Sequence, residues 1–209
     1  MSRVEQRSRR ADPDLPAEAV MEALDRAVQA GKVRYVGCSN ESAYGLTKSL
    51  WASDRAGLVR YETIQNNFSL LNRRFEDELA NVCRREKLSL LAYSPLAGGV
   101  LSGKYAGGAF PDGARFSAYR KDAVRGAVMT RRFVNEKTLG STERFAKIAA
   151  EAGMPVVTLA IGTGAGVTCA GRWPSGVCDA GAAAAALRRA TARASRTATP
   201  STCSTMRST

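Results

Sequence analysis

Ser39 and Asn40 set a hydroxyl beside a carboxamide at the end of the apolar run 32–40 (KVRYVGCSN). Gln65 places a second carboxamide near the end of 61–67 (YETIQNN), and Tyr93 closes the run 88–93 (LSLLAY). Hydroxyl and amide groups of this kind match a ligand amide, because they offer donors and acceptors together. After Tyr93 come Ser94, Pro95, Leu96, Ala97 and Gly98, a small-residue loop with a second glycine following. Three short strands that all finish in polar residues describe the carboxyl-end face of a parallel sheet or barrel, where ligands collect.

Each residue also has an ordinary use. Ser39 and Asn40 are suited to capping the helix that follows them. Tyr93 could be a core tyrosine whose hydroxyl finds a partner, and Arg115 a solvated surface arginine. The order and spacing of the phrases GKVRYVGCSN, QNNFSLLNRRFE and LAYSPLAGGVLSGKY weigh for a shared site.

Those phrases resemble the second half of the aldo-keto reductase family, over about residues 11–161. The likeness is greatest to the branch with potassium-channel β subunits and bacterial general-stress reductases. The resemblance implies that Ser39, Asn40 and Gln65 hold the carboxamide of a nicotinamide ring and that Tyr93 stacks on that ring. It implies that residues 94–98 run along the pyrophosphate and that Lys104 and Arg115 contact phosphate. The cofactor so implied is NADP(H). The family's proton donor is a Tyr tuned by Lys and Asp, with a His completing the pocket. The resemblance places the Asp, Tyr and Lys on earlier strands and the His near residue 9, where Arg9 stands in QRSRRAD. Tyr35 and Tyr44 match no catalytic motif. No catalytic residue is therefore assigned, and weakened cofactor binding and doubtful turnover are expected.

The elements that must position these residues alternate. Pro16 begins a helix with Val20, Leu24, Ala27 and Val28 on one face, and Gly31 ends it. A strand from Val33 to Gly37 leads to a second helix capped within 40–42, with Leu46, Leu50 and Trp51 inward. Thr63 to Gln65 is the next strand. Leu71 and Asn72 open a helix with Phe75, Leu79, Val82 and Cys83 on one side, before the strand 88–93. This alternation predicts βα units around a parallel sheet. Residues 106–129 lack a clean period and read as a long loop. A helix over 136–152 follows, with Leu139, Phe145, Ile148 and Ala149 inward, and another begins at Pro155. The glycines at 162, 164 and 166 are expected to break that helix.

At 209 residues the chain is shorter than the roughly 250 typical of a closed (β/α)8 barrel. The fold expected is α/β, an incomplete TIM barrel of aldo-keto reductase type, with its first strands missing and an irregular C-terminal tail. The organisation expected is a basic leader (1–10), the partial barrel (11–161) and a low-complexity tail (162–209). Only Val167–Ala170 resembles the family's last strand. The tail's composition fits either disorder or a reading-frame change in GC-rich DNA.

The chain carries 31 Lys and Arg against 19 Asp and Glu. The excess concentrates at the ends: four Arg against one Glu in 1–10, and six Arg against one Asp in 162–209. Neither end interleaves aromatics with its cations, which argues against a nucleic-acid partner. There is no histidine, and the five cysteines have no metal-ligand spacing. No apolar run approaches the roughly 18 residues of a membrane span. A cytoplasmic oxidoreductase of aldehydes or ketones is expected, with a small carbonyl substrate only if the site is complemented. The alternatives are a non-catalytic nucleotide-binding or interaction protein, or a non-functional remnant. Exposed barrel edges predict self-association.

Overall fold

Pro16 stands at the N-cap of helix α1 (Ala17–Gln29), where a missing N–H breaks no helical hydrogen bond. The computed structural model describes residues 15–120 and 125–167. Strand β1 (Val36–Ser39) runs into helix α2 (Ala43–Ala56), whose N-cap Ser42 accepts from the Gly45 amide at 3.0 Å. Strand β2 (Tyr61–Asn67), helix α3 (Leu79–Glu86) and strand β3 (Ser89–Tyr93) complete the first half. The three strands are parallel, in the order β1-β2-β3.

The register separates the two faces of this sheet. Cys38, Ile64 and Leu90 align across the strands, and all three are buried. With Met21, Leu46, Leu50 and Cys83 they form a core beneath the helices. One residue further on, Ser39, Gln65 and Leu91 align and face the opposite way, because successive side chains alternate. Leu91 is 39% exposed and Tyr93, two residues beyond it, is 56% exposed. The sheet is thus covered on its helix side and open on the other.

A second core lies past β3. Leu101, Tyr105, Phe116 and Leu159 are buried there, and helices α6 (Glu136–Glu151) and α7 (Val156–Val167) pack against the 97–102 segment. Leu139, Phe145 and Ile148 of α6 pack on this core and Ala149 lies within it, as their spacing predicts.

Several elements differ from the sequence reading. β1 begins at Val36, three residues late, because pairing with β2 starts only there. The buried face of α1 centres on Met21, with Leu24 and Val28 packed beside it. Trp51 lies outward at 46% exposure, beneath the Lys48 ammonium at 4.3 Å and the Arg55 guanidinium at 5.2 Å from its ring. A bridge between Ser69 and Asn72 and a short 3-10 turn (Arg74–Glu76) replace the helix expected from Leu71, so α3 starts only at Leu79. The expected long loop contains helix α4 (Arg115–Tyr119) and the start of helix α5 (Arg125–Phe133).

Most informative is α7, which continues through its glycines to Val167. Each helical glycine costs roughly 1 kcal/mol relative to alanine. Burial of Leu159 and Ala160 opposes that cost, and the Thr163 hydroxyl is satisfied by the Leu159 carbonyl at 2.7 Å. Residues 162–167 are therefore helix, neither irregular tail nor strand; residues 168–209 lie outside the described residues, as does the basic leader.

Candidate functional site

β1 ends by turning Asn40 into the left-handed region, at φ 59°. Asparagine tolerates that conformation better than most residues. The turn directs the Asn40 amide at the Gln65 carbonyl, 3.0 Å away, and the Asn40 Nδ2 donates to Ser39 Oγ at 3.0 Å. Ser39 and Gln65 are register partners. Asn67 pairs in register with Tyr93, whose carbonyl accepts from the Phe68 amide at 3.3 Å. Alternation puts Ser39, Gln65, Leu91 and Tyr93 on the open face, converging at its carboxyl end. Ser42, not Ser39 or Asn40, caps α2, so capping does not account for that pair.

The chain then folds into a tight loop. Ser94, Ala97, Gly98 and Gly99 all have positive φ, at 60°, 50°, 69° and 98°. A Cβ on Gly98 would lie 2.7 Å from the Phe116 ring, and one on Gly99 would lie 2.6 Å from Lys104 Cε. Glycine suits both places by conformation, and Gly98 also by space against the Phe116 ring. The same contacts place Lys104 over Gly99, and Arg115 Cδ 3.8 Å from the Gly98 position. Neither cation is paired with a carboxylate among the described residues.

Three of the loop's amides are engaged internally. The Ala97 amide donates to the Ser94 carbonyl at 2.8 Å, the Gly98 amide to Ser94 Oγ at 2.9 Å, and the Gly99 amide to the Leu96 carbonyl at 2.9 Å. Leu96 packs on the second core, and Ala97 is buried in it. These three amides therefore already have partners within the loop. The Ser94 hydroxyl hydrogen and the side chains of Lys104 and Arg115 remain as donors around the loop. Pro95, half-buried, has no amide hydrogen to give.

Polar side chains at three strand ends thus lie beside a glycine loop flanked by two cations. The "Aldo/keto reductase family" profile matches residues 8–162. The chain belongs to the aldo/keto reductase family. It is 39% identical over 149 residues to "Protein tas" of Escherichia coli, covering 70% of this chain and 41% of that protein. It is 37% identical over 93 residues to "Uncharacterized oxidoreductase YrpG" of Bacillus subtilis, covering 44% of this chain and 28% of that one. A rice protein described as "Probable voltage-gated potassium channel subunit beta" is 32% identical over 155 residues, covering 73% of this chain and 45% of its own length. The chain thus spans less than half the length of these curated relatives. Among solved structures, the glycerol dehydrogenase AKR11B4 from Gluconobacter oxydans superposes with a TM-score of 0.63. It covers 95% of this chain and 60% of its own, at 21% identity, a likeness of fold. The sheet described here is an incomplete aldo/keto reductase barrel.

Three further features bear on the chemistry of this aldo/keto reductase chain. Among the described residues no cluster of His, Cys, Asp or Glu could hold a metal ion, and no single helix is long and apolar enough to cross a membrane. Burial pushes the Cys38 thiol up to about 12, with the Glu41 charge adding to the effect. Cys38 is therefore a neutral core residue beneath the strand tips. Finally, Asn66 was missed from the sequence. It shares the covered side of β2 with Ile64, donates from Nδ2 to the Glu41 carbonyl at 3.2 Å, and buries an Oδ1 that has no donor among the described residues. A polar residue at an apolar phase of a strand was the available signal.

Proposed function

We propose that the open carboxyl-end face binds NADP(H) and that this chain supplies the cofactor-holding part of a carbonyl oxidoreductase site. What supports the reading is the Ser39–Gln65 register pair, with Tyr93 exposed on the same face beside the glycine loop. Gln65, with Ser39 and Asn40, presents both donors and acceptors to a carboxamide. Tyr93 offers a ring face for stacking, which would select the side of the nicotinamide left open. Ser94, Lys104 and Arg115 would take the phosphates, with the two cations reached through side chains instead of loop amides. When bound, the cofactor supplies a hydride to the carbonyl carbon of an aldehyde or ketone.

The test is a fluorescence titration of NADPH followed by an aldehyde-dependent oxidation assay in the cytoplasmic pH range, where this reading places the protein. Saturable binding supports the site; absence of binding at millimolar cofactor overturns it. Binding is expected to be weaker than in relatives of full barrel length, since the face lies open.

A second reading is favoured by one observation. Tyr35 and Tyr44, the two tyrosines weighed as stand-ins for the family's proton donor, stand outward at 76% and 78% exposure. On that reading the chain binds the nucleotide without turning over a carbonyl, as a sensing or interaction protein. Binding without turnover selects it. The open face and the two outer edges of the sheet belong to the same proposal: they favour self-association, which sedimentation velocity would read as a concentration-dependent shift.

A further inference from the structure

The Asn40 tip is tied to β2 twice. Its own amide reaches the Gln65 carbonyl at 3.0 Å, and the next residue's carbonyl, that of Glu41, is held by Asn66 Nδ2 at 3.2 Å. Between these two ties Asn40 keeps φ 59°, a conformation that persists in a non-glycine residue only when its surroundings impose it. Asn66 lies on the covered side of the sheet, while the groups facing a nicotinamide lie on the open side. It therefore cannot touch the ligand; it can act only through the loop.

Its chemistry points to that task. The buried Asn66 Oδ1 has no donor among the described residues, a state that carries a desolvation cost. Turning the amide over would set Oδ1 against the Glu41 carbonyl oxygen, acceptor to acceptor. The amide is thus oriented by the Glu41 bond alone. A leucine, branched at the same atom though bulkier, would remove the orphaned acceptor and suit a neighbourhood containing Ile64 and Ala92. The stability of the fold gives little reason for asparagine here; the geometry of the Asn40 turn gives one.

We propose that Asn66 is a positioning residue that fixes the β1–α2 turn so that Asn40 and Ser39 meet the nicotinamide carboxamide. This rests on the functional reading above, and the experiment separates the two. Calorimetric titration of the full chain uses NADP+ and, separately, adenosine 2′,5′-bisphosphate, which lacks the nicotinamide. In Asn66→Leu, affinity for NADP+ falls about tenfold, the order of one charge-free hydrogen bond lost together with ordering of the turn, while affinity for the bisphosphate stays within about twofold. Asn66→Asp, ionised at pH 8, also loses affinity for NADP+ there, because a carboxylate cannot donate to the Glu41 carbonyl. Independently of any nucleotide, hydrogen exchange at the Asn40 amide quickens in Asn66→Leu while that of Ile64 and Leu90 is unchanged. Equal weakening for both ligands, unchanged NADP+ affinity, or unchanged exchange at Asn40 overturns the assignment. If the wild-type chain binds the bisphosphate but shows no nicotinamide contribution, the functional reading fails and the binding arm of this one falls with it; exchange at Asn40 still decides whether Asn66 holds the turn.

Discussion

The Asn40 amide and the Gln65 carbonyl meet at 3.0 Å just beyond the last register pair of β1 and β2, Ser39 with Gln65. This bond carries the parallel ladder one residue past the strand and holds the polar ends of two βα units together. The backbone of Gln65 thus fastens the turn, and its half-buried side chain remains free to face the open side. A change confined to that side chain leaves the bond in place. Gln65→Met keeps the length and removes the amide. The expected outcome is a rise of about tenfold in the dissociation constant for NADP+, with a melting temperature close to that of the parent. Titration and scanning calorimetry on one preparation check both.

The two cations beside the glycine loop make a different prediction. Lys104 and Arg115 are exposed, so their attraction for a phosphate is screened by salt. Affinity for NADP+ should fall as sodium chloride rises, and the double variant Lys104→Met/Arg115→Met should show a visibly flatter dependence. Gly99→Ala should reach the same site from the backbone. At φ 98°, with its new Cβ 2.6 Å from Lys104 Cε, it must displace the lysine and strain the loop. A loss of about 1–3 kcal/mol in stability is expected by denaturant titration.

Periodicity and composition made the three strands legible, since each is a short apolar run ending in polar residues. Ser39, Gln65 and Tyr93 stood out as the ends of those runs within the three ordered phrases; which face each side chain takes comes from the register. What the pattern could not carry was tertiary compensation. Three glycines read as a helix stop, yet packing of Leu159 and Ala160 carries α7 through them. Trp51 read as core because it is large and apolar, yet Lys48 and Arg55 cover its ring at the surface. The resemblance runs residues 94–98 along a pyrophosphate; that Ser94 and Leu96 accept from the amides of Ala97, Gly98 and Gly99 is visible only in the hydrogen bonds.

Cys38 gives a prediction on the pH axis. Burial raises its thiol from the usual 9.0 to about 12, and the Tyr61 hydroxyl is likewise raised, chiefly by burial. Both groups hold their protons more tightly in the folded state. Their contribution to stability is therefore complete below the unfolded values, near pH 9 for the thiol, and is lost as pH climbs toward 12. Urea midpoints should decline steadily above pH 9. At pH 8 the native thiolate fraction at Cys38 should be far below that of the unfolded chain. Mass-resolved labelling with an aromatic disulfide should find Cys38 protected until denaturant is added; rapid native labelling would show that the strand is not closed over it.

Helix α4 supplies the last prediction. Its N-cap, Ala114, has no side-chain oxygen to receive the first helical amides. The hydroxyl of Tyr105 does so instead, accepting from the Phe116 amide at 3.2 Å in a fully buried site. Tyr105 also meets the Phe116 ring edge-on at 5.5 Å, so one residue fixes both the backbone and the side chain of its neighbour. Phe116 in turn packs where a Gly98 side chain would be, and Arg115 precedes it in sequence. Tyr105→Phe deletes one oxygen and leaves a buried N–H unpaired, for an expected loss of about 1–3 kcal/mol. Phe116→Ala opens a cavity in the same core and should lose more, about 3–5 kcal/mol. The two differ in what they do to the site. Tyr105→Phe keeps the ring packing but frees the first turn of α4, so hydrogen exchange should rise at Phe116 and the salt-dependent part of NADP+ affinity should shrink as Arg115 loses its fixed position. Unchanged exchange at Phe116 would mean that the hydroxyl fills space there without capping the helix.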